Sequence, residues 1–281
     1  MRRTTTLDLE IRDAVDAIVE RRQISPQFGI VLGSGLGSLA DSMIHPTDIP
    51  YAEIPGFPQS HAAGHAGSLR LGFLGGLPVV AMCGRAHLYE GHDVDRATFP
   101  IRVLHALGAH SLIVSNASGG LNPRFASGEL ILIDQHINGM GRSAVPYNER
   151  LASSGQVTHV GPFYDEAYME HCQSIALRQQ FQLQRGTYLA TLGPTYETRA
   201  EYRYFRSIGA DMAGMSTVPE VELGRALGMR VLAFSVVTNV ANPDSLAKTD
   251  HAEVLDWAAT AQKRLVPLVI QFLDELSGPP D

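Results

Sequence analysis

Six short, nearly continuous apolar runs punctuate this chain: FGIVL (28–32), LPVVAM (77–82), SLIVSNA (111–117), ELILID (129–134), TYLATLG (187–193) and RVLAFSVVTN (230–239). Each has the length of a strand buried on both faces, and several end in glycine or small polar residues. Between them lie segments with helical spacing, RATFPIRVLHALG, TRAEYRYFRSIG and TVPEVELGRALG, with Gly108 and Gly228 as C-terminal stops. An amphipathic helix through Leu7, Ile11, Val15 and Val19 opens the chain. Another, from His251 to about Leu276, closes it with a stripe of Val254, Ala258, Ala261, Leu265, Leu268 and Phe272 and an expected kink at Pro267. Alternation of this kind predicts an α/β fold with a central, largely parallel or mixed β-sheet flanked by helices. No linker, charge block or repeat divides residues 1–281, so a single domain is expected. The stretch 138–164 lacks sustained periodicity and is expected to be a long functional loop.

Charge and cysteine content narrow the function classes. A net charge of −7 with no Lys/Arg cluster argues against nucleic-acid binding, which needs concentrated positive charge. Cys83 and Cys172 form neither a disulfide framework nor a zinc-ligand spacing. Asp8 and Glu10 interrupt any apolar leader, and the run LVPLVIQFL is about half a membrane span. A cytoplasmic protein without a membrane partner is expected.

Polar clusters fall where the strands stop, the usual ligand crevice of an α/β sheet. LGSGLGS (32–38) offers glycines and Ser34, suited to an anion or simply to a tight turn. Ser38 stands where a dinucleotide fingerprint needs glycine, and no GK[ST] follows. In CGRAHLYEGHD (83–93), continued extension would put Arg85, His87 and Tyr89 on one face, against the plainer reading of a polar loop. Arg85 supplies a permanent charge with a planar fork, and His87 a second donor. SNASGGLNP (115–123) leaves a strand in a narrow loop at Asn116 and Ala117, which suits a ligand or a plain turn. In GPTYETRAE (193–201), Thr198 and Glu201 fit a capping box, leaving Glu197 and Tyr196 either for a flat heterocycle or for solvent. DMAGMSTVPE (211–220) suggests a second box from Thr217 and Glu220, with Ser216 at a helix start as anion ligand or auxiliary cap. Asn239 offers a donor and an acceptor to one ring edge, and His251 stands at a helix start that Asp250 and Glu253 can cap.

Taken together, LGSGLG, GHAG, GRAHLYEG, NASGGLNP, GTYLATLGPTYET, GADMAGMSTVPEV and TNVA with the following DH run in one order across nearly 250 residues. In this the chain resembles the trimeric, low-molecular-mass purine nucleoside phosphorylase family. The resemblance implies a phosphorylase/hydrolase-like α/β fold and cleavage of purine (2′-deoxy)ribonucleosides by inorganic phosphate, giving free base and α-ribose 1-phosphate with no metal or organic cofactor. It implies phosphate binding by Ser34, His65, Arg85, His87, Ser216 and the backbone of Ala117. Ribose contacts would come from Tyr89, Met215 and His251, and base contacts from Tyr196, Glu197, Ala213 and Asn239. His87, Glu197, Asn239 and His251 would carry the catalytic roles, and a homotrimer would be the working form.

Glu197 with Asn239 points to 6-oxopurines such as inosine and guanosine, whereas the related methylthioadenosine phosphorylases carry aspartate in place of Asn239 and lack the glutamate. Two departures stand out. GMGRSAVPYNER replaces the family's usual loop after HIN, and the aromatic residue lent by a neighbouring subunit falls at Gly161 or Phe163, with Phe163 preferred. Ala213, where valine is usual, would leave extra room at the base. The rival readings are a non-catalytic nucleoside sensor on the same scaffold, a methylthioadenosine-type specificity, and a dinucleotide-dependent oxidoreductase disfavoured by the broken glycine fingerprint.

Overall fold

A computed structural model describes residues 5–34, 36–60, 65–145, 161–241 and 251–278, with 251–254 described in backbone only. Among these residues nine strands join one mixed sheet flanked by helices, as the apolar runs predict. The strands are β1 (Phe28–Leu32), β2 (Ile44–Pro50), β3 (Ser68–Leu74), β4 (Leu77–Cys83), β5 (Ser111–Gly120), β6 (Leu130–Asn138), β7 (Gln184–Ala190), β8 (Met212–Gly214) and β9 (Arg230–Val240). The helices are α1 (Thr6–Arg21), α2 (Ser38–Asp41), α3 (Val94–Ala106), α4 (Glu166–Arg178), α5 (Arg199–Ser207), α6 (Val218–Ala226) and α7 (His251–Ser277).

The sheet runs β2-β3-β4-β1-β5-β8-β7-β6-β9, and β5 also pairs with β9, so β5 to β9 close on one another. Strands β4, β1, β5 and β9 are parallel neighbours, which brings their carboxyl ends to one side. Strand β1 is buried at all five positions, the outcome expected for a central strand covered on both faces. Register shifts in the β5–β9 ladder between Ser118 and Gly119: Ser118 faces Val237, and Gly119 faces Asn239. Thr238 is thus an extra residue, a bulge that re-aims the end of β9. Its hydroxyl donates to the Ser118 carbonyl at 3.2 Å, which anchors the bulge.

Helix ends follow local chemistry in most cases. Thr198 caps α5 in the expected reciprocal box with Glu201, while Gly108 and Gly228 adopt φ of +116° and +83° just beyond α3 and α6. In α7 the expected stripe is buried at Ala258, Ala261, Leu265, Leu268 and Phe272, and the helix continues through Pro267. The side chain of Val254 lies outside the described residues, as do residues 146–160 of the expected loop, whose first residue, Asn138, belongs to β6.

Two local expectations are corrected. Residues 83–89 do not stay extended: β4 ends at Cys83, Gly84 takes φ of +100°, and Leu88–Glu90 form a 3₁₀ turn. Thr217 and Glu220 form no capping box, because Thr217 adopts φ of +73° without a side-chain cap bond and Glu220 turns inward to Arg85. A buried guanidinium 135 positions away in sequence outcompetes the backbone N–H groups. No helix among the described residues is long and apolar enough to cross a membrane.

Candidate active site

The ends of β1, β4, β5, β8 and β9, with the loop after β7, enclose a cavity of about 270 Å³. Ser34, Arg85, His87, Ala117 and Ser216 line it, as do Tyr89, Met215, Tyr196, Glu197, Ala213 and Asn239. Eleven expected site residues therefore border one space.

Gly33 permits the close approach at the polar end. A Cβ there would lie 2.7 Å from the Ser115 carbonyl and 3.1 Å from Arg85 Nη2. Arg85 is only 2% exposed. Its Nη1 donates to Glu220 Oε2 at 2.8 Å and to Thr217 Oγ1 at 3.4 Å, and its Nη2 donates to the Ser115 carbonyl. Nε is buried and finds no hydrogen-bond partner among the described residues. Of five N–H bonds, one on Nε and one on Nη2 thus have no acceptor among these contacts. Thr217 also accepts from Asn116 Nδ2 at 2.8 Å, and Asn116 Oδ1 accepts from Ser235 at 2.6 Å, so the arginine is held in a buried hydrogen-bonded network.

Three rings stack beside it. His65 and His87 have centroids 5.3 Å apart, and His87 and Tyr89 lie 4.7 Å apart at 11°. Glu90 Oε1 accepts the His87 backbone N–H at 2.8 Å and His87 Nδ1 at 3.0 Å, which leaves Nε2 as the free ring nitrogen. His65 does not itself line the cavity; its Nδ1 lies 2.8 Å from the Arg85 carbonyl, and its Nε2 meets Ser34 Oγ at 3.2 Å.

Burial, then the neighbouring His87 and Arg85 charges, push the His65 pKa down from 6.5 to about 4. Burial followed by Arg85 lowers His87 too, against the opposing pull of Glu90. For such groups the unfolded chain takes up a proton before the folded one, so His65 erodes stability as pH falls from 6.5 to about 4. We expect His65→Gln to flatten the pH dependence of thermal melting in that window; an unchanged slope would contradict this environment for His65.

At the other end, Glu197 Oε1 accepts from Thr191 Oγ1 at 3.2 Å. The β9 bulge sets Asn239 opposite Gly119, and a Cβ there would stand in ordinary contact with the amide, 3.6 Å from Asn239 Nδ2. Tyr196 is 52% exposed and borders the mouth. The sequence reading overlooked Glu90, Glu220, Thr217 and Tyr202. For Glu90, the box formed with His87 three residues earlier was the available signal.

Two expected residues stand apart. Phe163 packs on His136, with centroids 4.6 Å apart, and does not line its own chain's cavity. The His251 side chain, with Asp250, lies outside the described residues.

Residues 27–274 match the family model described as the phosphorylase superfamily. The chain is 42% identical over 245 residues to purine nucleoside phosphorylase 1 of Bacillus subtilis, covering 87% of this chain and 90% of that protein. It is 41% identical over 264 residues to the purine nucleoside phosphorylase of Rattus norvegicus, covering 89% of each. The crystal structure of Schistosoma mansoni purine nucleoside phosphorylase in complex with adenosine superposes with a TM-score of 0.87 at 36% identity, covering 96% of this chain and 98% of that one. A schistosoma purine nucleoside phosphorylase in complex with hypoxanthine gives 0.84 at 34% identity, covering 96% and 97%.

Proposed function

The chain belongs to the purine nucleoside phosphorylases of the phosphorylase superfamily, and on that premise we propose how its pocket cleaves purine nucleosides with inorganic phosphate. What supports this reading is the buried Arg85 guanidinium, which lines one cavity together with Ser34, His87, Ser216, Glu197 and Asn239.

Phosphate binds at the Arg85 end, held by the two spare guanidinium N–H bonds, the hydroxyls of Ser34 and Ser216, and the Ala117 backbone. The dianion also favours protonation of the neighbouring imidazoles, so His87 Nε2 becomes a donor when phosphate is present. One phosphate oxygen then faces C1′ of the sugar, over which Tyr89 and Met215 lie. As the C1′–N9 bond lengthens, its electron pair moves into the purine and the sugar gains oxocarbenium character. Asn239 donates to N7 while negative charge grows there, and Glu197 accepts from N1–H. The phosphate oxygen closes on C1′, giving ribose 1-phosphate and a purine anion that takes a proton from water. Positioning and electrostatics suffice, with no enzyme-bound covalent intermediate and no cofactor.

This arrangement favours 6-oxopurines, because adenosine has no N1 proton for Glu197. His251 is assigned to the sugar 5′-hydroxyl, and the working form to a homotrimer in which Phe163, turned away from its own pocket, completes that of a neighbour. The test is release of hypoxanthine from inosine with and without phosphate. Equimolar base and ribose 1-phosphate are expected only with phosphate; binding without turnover would favour a sensor.

A further inference from the structure

Glu197 and Asn239 stand far apart along the chain, yet one helix joins them. Glu197 immediately precedes Thr198, the N-cap of α5, and Asn239 precedes the end of β9 at Val240. In the last turn of α5, the half-buried Arg206 donates from Nε to the Leu121 carbonyl at 2.6 Å and from Nη2 to the Ala241 carbonyl at 2.9 Å. These carbonyls lie just past the ends of β5 and β9, where the Ala241 N–H donates to the Gly120 carbonyl at 2.8 Å. A basic residue at a helix end suits the helix dipole, but both of these donors reach past the helix to other strands. One planar fork thus spans two neighbouring strand ends. Tyr202 of the same helix packs with Leu121 and Ala241 in one small apolar cluster, so α5 holds both residues by packing as well as by hydrogen bonds.

We propose that Arg206 is a positioning residue for base recognition: by tying α5 to the ends of β5 and β9, it fixes the distance between Glu197 and Asn239. The proposal rests on the reading that Glu197 meets N1 of the purine and Asn239 meets N7. Arg206 does not line the cavity, so it acts through those two residues. The segment carrying Asn239 is held on its near side by the Thr238 hydroxyl, 3.2 Å from the Ser118 carbonyl, and on its far side by Arg206 on Ala241. Glu197 moves with the start of α5, so any slide of that helix over the strand ends changes the gap between the two base contacts. Hydrogen bonds from a charged donor are stronger than neutral ones, and two in one fork resist both sliding and rotation.

Arg206→Met keeps an unbranched apolar stem and removes both donors. Displacing a contact by about 1 Å can cost about a hundredfold, so a shift of roughly half that implies about a tenfold fall in kcat/KM for inosine, with its KM raised. Adenosine lacks the N1 proton and meets only Asn239, so it should change by less than about threefold and the inosine-to-adenosine ratio should fall. Phosphate saturation should stay as in the parent, because neither tied carbonyl belongs to an anion-site residue. A variant that merely folded less well would lower kcat for both nucleosides in proportion, with KM and the ratio unchanged, and that result would overturn the proposal. Arg206→Lys keeps the charge without the fork and is expected to fall between the parent and Arg206→Met; it carries the test if Arg206→Met does not fold.

Glu197→Gln, measured in parallel, separates this proposal from the reading beneath it. If Glu197→Gln alters the ratio and neither Arg206 variant does, the tie is overturned while Glu197 keeps its role. If Glu197→Gln leaves the ratio unchanged, the base reading falls and the tie with it.

Discussion

Arg85→Ala is expected to raise the phosphate concentration needed for half-maximal rate by about a hundred- to ten-thousandfold, with little change in the preference among bases. Two charge-assisted hydrogen bonds to the anion disappear together, each worth roughly 1.5 to 3 kcal/mol. The same substitution should also destabilise the protein, because Glu220 is then buried without its cation. Removing one partner of such a pair typically costs about 3–5 kcal/mol. The two effects can be separated. Arg85→Met combined with Glu220→Leu removes both charges and restores apolar packing, which is often neutral for stability. Thermal melts should recover in the double variant while phosphate saturation stays impaired. Normal phosphate saturation in Arg85→Ala would contradict the anion site; recovery of phosphate affinity in the double variant would contradict it equally.

Asn239→Asp should reverse the base preference. The amide offers N7 a donor at the moment negative charge develops in the ring, and a carboxylate withdraws it and adds repulsion. Loss of one such donor costs about a hundred- to a thousandfold in rate, so inosine and guanosine should fall by that order. Adenosine presents a 6-amino group that can donate to the new carboxylate, and its relative rate should rise. The panel is inosine, guanosine, xanthosine and adenosine with and without phosphate. An unchanged inosine-to-adenosine ratio would remove Asn239 from the base site. Because Asn239 is delivered by the bulge at Thr238, the substitution should leave the fold intact.

The central strands were legible because full burial writes itself as an unbroken apolar run, as in FGIVL. Strand β2 was not: it lies at the sheet edge, is largely exposed, and contains Pro46 and Pro50, which an edge tolerates. Strand β8 has three residues, too few for any period. Helix α4 was overlooked although Asp165 caps it, because it follows directly on a turn-rich stretch. Among site residues, Ser34, Arg85 and His87 could be suspected from their places after strands. Their convergence with residues beyond 190 depends on strand order, which no local pattern records, and the family resemblance supplied it. Glu220 shows the limit most clearly. Thr-x-x-Glu satisfies a helix-start pattern in sequence, yet the partner that decides its conformation is Arg85, far away along the chain. The β9 bulge, which sets the direction of Asn239, likewise exists only in its register with β5.

A crystal structure with phosphate and a non-hydrolysable inosine analogue bound together is the most direct measurement. Phosphate should lie among Arg85, Ser34, His87 and Ser216 with one oxygen facing C1′, and the base should present N7 to Asn239 and N1 to Glu197. Phosphate bound outside that group, or a purine turned with N7 away from Asn239, would contradict the assignment of the two ends of the pocket.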